Sequence, residues 1–444
     1  MSQSDTIAAI ASPAGTGAVA LLRVSGRDAL AVAQRVWRGG ALVPRYAVYG
    51  GIINEAGRAV DSVLATFFKG PASFTGEDTV EITCHGGVLV TQQVLEQLLR
   101  CGARAARPGE FTQRAWLNGK LDLTQAEAVM DVISAQTGMA LRAAQRQLEG
   151  AIGRQVMALR DALLEVLAHV EAYIDFPEED ISPDTGAELL GRIAEVQDGT
   201  ARMLATADQG RILREGARTV LAGAPNAGKS SLLNALLGCE RAIVSDIAGT
   251  TRDTIEEVIN LKGIPLRLVD TAGLRESQDA IEREGVARSR RMVETADLVL
   301  EIVDASQPAG DRVVLPEEGG TMHLLVLNKA DLGLHFSWAA AEGVRFSCLT
   351  GVGMETLTNA IAMLLGGAQG FTGMEAVVNA RHKTCLLLAS RALENASTQL
   401  SAGAAPEFVA LDLREAMDAF GEISGRMDTE DLLGVIFSRF CIGK

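Results

Sequence analysis

The chain has 444 residues, and at roughly 150 residues per domain that length predicts about three domains. Its 56 Asp and Glu outnumber 41 Lys and Arg, for a net charge of −15, while 48% of residues are apolar and 22% charged. These proportions suit a soluble protein that buries several cores, and they exclude a disordered tail, a collagen-like repeat and a uniformly basic nucleic-acid coat. Aromatics are only 4%, so the cores are expected to be helix-rich and packed from Ala, Leu and other small side chains. No run approaches roughly 18 uninterrupted apolar residues, which predicts no membrane span. The opening Met-Ser-Gln-Ser-Asp-Thr lacks the basic start and apolar run of a signal peptide. Six cysteines, at 84, 101, 239, 348, 385 and 441, show no paired spacing. That scatter predicts free thiols in a reducing cytoplasm, without a disulfide frame or a structural zinc site.

Residues 1–118 read as short strands separated by turns. Runs at 18–24, 46–53, 62–68 and 79–84 are rich in Val, Ile, Tyr and Phe, with Gly, Pro or Asn at their edges. Helical stretches near 27–37 and 88–100 complete a compact α+β domain. From Leu123 the texture changes. Thr124 is predicted as an N-cap with Glu127 three residues on, the form of a capping box. About 50 residues follow with apolar side chains at three-to-four spacing, until Asp175-Phe176-Pro177 breaks the pattern. Helical sequence resumes at 185–209, and a second helical block is expected at 376–444. Between these blocks, 216–368 alternates short apolar runs at 219–222, 266–269, 298–303, 324–327 and 344–346 with helix-length stretches. This is the rhythm of a mostly parallel, helix-covered sheet. The simplest parse is an α/β domain inserted between two helical blocks, a multidomain α/β and α fold.

Gly223-Ala224-Pro225-Asn226-Ala227-Gly228-Lys229-Ser230 has the phosphate-loop pattern and stands where that pattern has mechanical meaning, after an apolar strand and before a helix. The glycines let backbone N–H groups wrap an anion, and the helix from about 229 turns its positive end to it. Lys229 is placed to reach the β- and γ-phosphates and Ser230 a Mg²⁺ ion, with Ser231 beside it. Asp270-Thr271-Ala272-Gly273 ends the next strand, offering a carboxylate to the Mg²⁺ shell and a glycine N–H to the γ-phosphate. In Asn328-Lys329-Ala330-Asp331 the Asp carboxylate can accept from both N1–H and the 2-amino group of guanine, which adenine does not offer. Ser347-Cys348-Leu349 follows a further strand and would close over the base. The order and strand-end positions of these stretches predict a GTP site. Ras-type GTPases orient the attacking water with a Gln where this chain has Leu274, and an apolar side chain cannot do so. Glu276, Asp279, Glu282 and Glu284 are the candidates for that role, each otherwise a solvated helix charge. The segment Ser245-Asp246-Ile247-Ala248-Gly249-Thr250-Thr251-Arg252-Asp253 has the place of a switch, and one of its threonines can complete the Mg²⁺ shell.

Several strings together carry a family likeness. They are P-N-A-G-K-S-S-L-L-N at 225–234, D-I-A-G-T-T-R-D at 246–253, D-T-A-G-L-R at 270–275, and the last residues Cys441-Ile442-Gly443-Lys444. S-P-A-G-T-G-A-V-A-L-L-R-V-S-G at 12–26, F-T-G-E-D at 74–78, H-G-G at 85–87 and A-R-P-G-E-F-T-Q-R-A-W-L-N-G-K-L-D-L at 106–123 extend it. Over nearly its whole length the chain resembles the MnmE (TrmE) family of tRNA-modifying GTPases. The resemblance implies an N-terminal α+β domain for folate binding and dimerisation at 1–119. It also implies a discontinuous helical domain at 120–215 and 369–444 and an inserted Ras-like P-loop GTPase domain at 216–368. It further implies a cytoplasmic homodimer that works with MnmG, a partner that carries the FAD. Together they install a (carboxymethyl)aminomethyl group at position 5 of the wobble uridine of certain tRNAs, using a one-carbon unit from a folate such as 5-formyltetrahydrofolate. GTP hydrolysis in the family follows K⁺-dependent pairing of the GTPase domains, without an arginine finger.

Carried onto this sequence, the resemblance assigns K⁺ to Asn226, Ser245, Ile247 and Thr250, and Mg²⁺ to Ser230 and Thr251. It assigns alignment of the attacking water to Glu282. It places Arg23, Glu81, Lys120 and Lys444 around the folate, where a carboxylate such as Glu81 suits the donor-rich pterin edge and the cations suit glutamyl and formyl oxygens. Cys441 resembles the family's tail cysteine, which is a thiolate nucleophile, an exposed free thiol or part of a pocket wall. Departures are small: Ala224 stands where the family often has Arg, Ser245 where it often has Thr, and Cys348 where Ala is common.

Overall fold

Alternation of apolar and polar residues decides how the amino-terminal strands lie. Val80, Ile82 and Cys84 are buried and Glu81, Thr83 and His85 face outward; Leu22 and Val24 are buried and Leu21 and Arg23 face outward. The computed structural model describes residues 5–175, 184–238, 240–241, 256–270, 293–310, 321–366, 377–425, 436–438 and 440–444. They fall into two units, Met1–Met130 with Ser424–Lys444, and Asp131–Ile423.

The first unit is built on a seven-stranded sheet of β1 (Ile7–Ile10), β2 (Val19–Ser25), β3 (Trp37–Gly39), β4 (Ala47–Ile53), β5 (Ala59–Phe68), β6 (Thr79–His85) and β7 (Arg104–Ala105), in the order β3-β4-β5-β6-β2-β1-β7. All pairings are antiparallel except β1 with β7. Helices α1 (Ala29–Val36) and α2 (Val88–Arg100) contribute Val32, Val36, Val94 and Leu98 to the core formed by the inner face of the sheet. Burying each such side chain stabilises the fold by about 1.5–3 kcal/mol. The strands and helices expected in this stretch are all present.

Two local expectations are corrected here. Helix α4 (Leu123–Ser134), which follows α3 (Glu110–Leu117), is capped by Asp122 and not by Thr124. Asp122 N donates to Gln125 Oε1 at 2.9 Å, and Gln125 N donates to Asp122 Oδ1 at 2.8 Å. The reciprocal box is thus shifted upstream, which makes Leu123 a helical residue packed with Ala126, Phe437 and Phe440. The last residues, expected in the second helical block, pack within the first unit. The Cys441 carbonyl accepts from Gly109 N at 3.5 Å and the Lys444 carbonyl from Phe111 N at 3.2 Å, so the tail satisfies backbone donors at the start of α3. Gly443, at φ 100°, lies so close to Ile10 O that a Cβ would come within 2.4 Å of it.

In the second unit, α5 (Gly138–Leu148), α6 (Ala151–Asp175), α7 (Asp184–Leu204) and α8 (Ala207–Glu215) precede a second sheet. Helices α11 (Ala380–Ser401) and α12 (Pro406–Ser424) follow it. Leu163, Val166, Ile193 and Val196 share one core with Leu386, Leu393, Leu413 and Phe420, so helices from both sides of the sheet segment make one body. The sheet between them comprises β8 (Ala217–Ala222), β9 (Glu240–Arg241), β10 (Glu256–Leu261), β11 (Ile264–Asp270), β12 (Leu298–Asp304), β13 (Met322–Asn328) and β14 (Val344–Arg345). Its order is β14-β13-β12-β8-β11-β10-β9. The five strands expected from the sequence are parallel; β9 and β10 extend the sheet as an antiparallel edge that the apolar-run pattern did not indicate. Helices α9 (Lys229–Leu237) and α10 (Met354–Gly366) pack on it through Leu232, Leu236, Leu357 and Ile361. The carboxyl ends of β8, β12 and β13 therefore emerge on one edge, where open α/β sheets place their ligands. Among the described residues, no helix is long and apolar enough to cross a membrane.

Candidate functional site

The buried strand β8 ends at Ala222, and the chain leaves it through Gly223 at φ 145°. A Cβ there would lie 2.1 Å from Ile302 O, so only glycine passes between β8 and β12. Asn226 at φ 63° and Gly228 at φ 102° are also left-handed, the kind of backbone that curls N–H groups into an anion-binding nest. Gly228 caps α9 and no side chain does, which leaves the first-turn donors and the positive end of the helix dipole to the loop. Lys229 Nζ donates to the carbonyls of Gly223 and Ala224, both at 2.8 Å, which holds the ammonium on the loop itself. Ala227 is buried under the loop, while Asn226, Ser230 and Ser231 are exposed.

Asn328, 2% exposed, joins this loop to the next two. Its Nδ2 donates to Ala227 O at 2.8 Å and its Oδ1 accepts from Cys348 N at 3.2 Å. A Cβ on Gly228 would sit 2.1 Å from Asn328 Nδ2, so that glycine is required twice, by its φ and by this contact. Lys329, at φ 61°, donates to Asp304 Oδ2 at 2.6 Å. Burial raises the Asp304 carboxyl, but hydrogen bonds from Lys329 and Ser306 outweigh it and hold it below the usual carboxylate range. Asp331 Oδ1 accepts from Ser347 Oγ, whose oxygen in turn accepts from Thr350 N at 3.2 Å. Asp331 Oδ2 has no hydrogen-bond partner among the described residues, with Ala330 next in sequence and Leu349 86% exposed. The Cys348 thiol lies 3.9 Å from Gly228 O, and burial pushes its pKa up. Residues 226–231, 328–331 and 347–349 thus converge on one edge of the sheet. Sequence reasoning missed Asp304; its signal was the Asp304-Ala305-Ser306 turn at a strand end.

Part of the predicted set falls elsewhere. Ser245, Asp246, Ile247, Ala248, Gly249, Thr250, Thr251, Thr271, Ala272, Gly273, Leu274, Glu276, Asp279, Glu282 and Glu284 lie outside the described residues. Asp270 ends β11 with its backbone in register with Leu221 of β8. Among the described residues, no group of three or more His, Cys, Asp or Glu is arranged to hold a metal ion.

The first unit holds the other predicted cluster. Arg23 on β2 and Glu81 on β6 are register partners on the outer face of the sheet. Arg23 Nε and Nη2 donate to the same Glu81 oxygen, Oε1, at 3.0 and 2.7 Å. Arg23 Nη1 and Glu81 Oε2 have no hydrogen-bond partner among the described residues. The guanidinium lies over two rings, 5.1 Å from the centroid of Phe74 and 5.6 Å from that of Phe111. Lys120 Nζ donates to Pro71 O at 3.1 Å, on the loop that carries Phe74. Lys444 reaches the cluster through its carbonyl on Phe111 N, and Cys441 is exposed. No hydrogen bond joins the side chains of Lys120 or Lys444 to the Arg23–Glu81 pair.

An ion network that sequence reasoning did not find ties α3 to β7 and to Glu77 in the β5–β6 loop. Arg114 donates to Asp5, Glu77 and Glu110, and Arg104 to Asp5 and Glu110. Burial raises the Glu110 carboxyl, but hydrogen bonds from Arg104 and the Arg107 backbone and the nearby guanidinium charges outweigh it, bringing its pKa down to about 2. The one signal in the sequence was the i,i+4 spacing of Glu110 and Arg114 on a short helix.

Comparison with known proteins follows the same division. Residues 123–441 match a family model described as the MnmE helical domain, and residues 6–120 one described as the GTP-binding protein TrmE N-terminus. The chain is similar to the tRNA modification GTPase MnmE of Akkermansia muciniphila, 54% identical over 444 residues and covering 99% of each chain. It is also similar to the tRNA modification GTPase MnmE of Roseiflexus sp. (strain RS-1), 46% identical over 466 residues and covering 100% of each. Among solved structures, the G domain of the T. maritima FeoB iron transporter is 25% identical, with 33% of this chain and 98% of that one covered and a TM-score of 0.24.

Proposed function

The chain belongs to the MnmE family of tRNA modification GTPases, and on that premise we propose how its two sites divide the work. The protein is a GTP hydrolase that acts in tRNA modification. The observation that carries the nucleotide reading is the Asn328 bridge between the phosphate loop and the Cys348 loop. It brings an anion nest and a guanine-reading carboxylate to one sheet edge.

In this reading the GTP phosphates lie in the loop 223–230, and Lys229 exchanges its two carbonyl partners for β- and γ-phosphate oxygens. Asp331 accepts from guanine N1–H and the 2-amino group, while 347–349 close over the base. Contacts from 245–251 and 270–273 complete the site. Ser230 and Thr251 hold Mg²⁺, and Asn226, Ser245, Ile247 and Thr250 hold K⁺ when two copies pair through this domain. Bound there, the monovalent cation supplies the positive charge that other GTPases take from an arginine. Glu282 aligns the attacking water in place of the residue that Leu274 cannot replace.

The amino-terminal sheet binds the folate, such as 5-formyltetrahydrofolate. Glu81 Oε2 and Arg23 Nη1, without hydrogen-bond partners among the described residues, offer an acceptor beside a donor, which fits the amino and oxo groups of a pterin edge. Lys120 and Lys444 answer glutamyl and formyl oxygens. With MnmG, which brings the FAD, the homodimer acts in the cytoplasm to install an aminomethyl-type group at position 5 of the wobble uridine, the folate supplying its carbon and an amine (glycine or ammonium) its nitrogen. The experiment is GTP turnover by the full-length protein in matched KCl and NaCl. Turnover is expected in K⁺ and to be lost in Na⁺; equal rates overturn the monovalent-cation mechanism.

A further inference from the structure

The loop between β5 and β6 is held far more firmly than a connection requires. Gly70 N donates to Asp78 Oδ1 at 2.9 Å, Asn118 Nδ2 to Thr75 O at 2.7 Å, and Arg45 Nη2 to Ala72 O at 2.9 Å. Glu77 is gripped by Arg114 at 3.1 Å and by Ser25 Oγ at 2.8 Å, and Ser25 shares a further bond with Thr75 at 2.7 Å. So much anchoring would ordinarily serve to bury side chains, yet Phe74 remains 36% exposed. Its ring lies 5.1 Å from the Arg23 guanidinium, while Phe111, which also flanks Arg23, is wholly buried with Ile7, Ala9 and Ala106. The two aromatic neighbours of Arg23 are thus unequal: Phe111 is part of the core, whereas Phe74 keeps exposed surface next to a guanidinium whose Nη1, like Glu81 Oε2, has no hydrogen-bond partner among the described residues.

We propose that Phe74 is the stacking wall of the folate site, covering the planar pyrimidinone ring of a pterin whose edge is read by Glu81 and Arg23. The inference deepens the folate reading and rests on it. A flat heteroaromatic ring gains face contact from an aromatic side chain that hydrogen bonds to its edge cannot supply. The tethered loop lowers the ordering cost, because the ring is held in place before the ligand arrives. Glu77 and Arg114 act here as positioning residues: they touch the loop and leave the ligand to Phe74, Glu81 and Arg23.

The test is calorimetric titration of the full-length protein with 5-formyltetrahydrofolate, for the wild type and for Phe74→Ala, Phe74→Leu and Phe74→Tyr, alongside thermal melting without ligand. Losing the stacked ring should weaken binding about tenfold or more in Phe74→Ala and Phe74→Leu, and Phe74→Tyr should stay within about threefold of wild type. The absorbance change of the pterin on binding should be lost with the ring and kept with Tyr. Leu retains apolar bulk, so melting points near wild type with weakened binding support stacking specifically. Wild-type binding with equal affinity in Phe74→Leu overturns this inference and leaves the folate site standing. Absence of binding by the wild type overturns the folate reading, and the inference with it.

Discussion

The proposed nucleotide site is made mostly of backbone at strand ends, while the proposed Arg23–Glu81 site is made of side chains on the flat of a sheet. In the first, Gly223, Asn226 and Gly228 shape the loop by their own φ values, and Asn328 fastens it to the 347–349 loop through one buried amide. In the second, the strands only present a cross-strand pair, and a network of two arginines and three carboxylates, centred on the buried Arg114 and Glu110, holds the loop beside it. The difference predicts different weak points. A strand-end site fails locally when a ligand contact is removed, whereas the sheet-face site fails when the charges beside it are unbalanced.

The sharpest way to break this contrast is at Lys229. Lys229→Ala should lower GTP affinity by roughly a thousandfold, since charge-assisted bonds to two phosphates are lost together. Fluorescent-nucleotide titration measures it, and near-normal affinity would mean that the loop does not hold phosphate. Arg114→Met tests the other side. It takes one charged partner each from the buried Glu110 and the part-buried Glu77, while Arg104 still holds Glu110, and denaturant unfolding should show a loss of about 3 kcal/mol from the first unit. A loss under about 1 kcal/mol would make the network ornamental.

Acid should act on the same network. The folded-state pKa of Glu110 is depressed from 4.5 to about 2, so its stabilisation is fully present above pH 4.5 and is lost as pH falls towards 2. That difference corresponds to about 3 kcal/mol, read from unfolding free energies across this window. Arg104→Met should flatten the dependence, because Arg104 is the main group holding the carboxyl down. A smaller effect is expected at the base pocket. Asp331→Asn replaces an acceptor with a donor opposite guanine N1–H and should reduce guanine over adenine preference by about a hundredfold. Competition binding of GTP and ATP measures the ratio, and an unchanged ratio would remove Asp331 from base reading.

What was legible in the sequence follows the same contrast. The phosphate loop can be read because the chain must have glycine at 223 and 228, where a Cβ would meet Ile302 O and Asn328, and those glycines are close in sequence. The parallel strands could be read from their short apolar runs, each long enough to be buried on both faces. The Asn328–Ala227 bond joins residues 101 apart, and no local pattern announces it. Arg23 and Glu81 are 58 residues apart, and their contact depends on strand register, which composition does not encode. The family likeness named both residues, but Phe74 and the Arg114 network emerged only when the loop and α3 were seen folded together. The α4 cap was misread because Asp122-Leu123-Thr124-Gln125 and Thr124-Gln125-Ala126-Glu127 are both plausible boxes. Burial of Leu123 against Phe437 and Phe440 decides between them. The same two phenylalanines place the tail with the first unit, against its expected place in the second helical block.

The claim on which the functional account turns is that the sheet face of the first unit supplies the carbon for the modified uridine. Its most direct test is nucleoside analysis of tRNA from cells whose only copy of this protein carries Glu81→Ala. The account predicts wobble uridines that lack the aminomethyl-type group at position 5. Wild-type levels of that modification in the variant cells would contradict it.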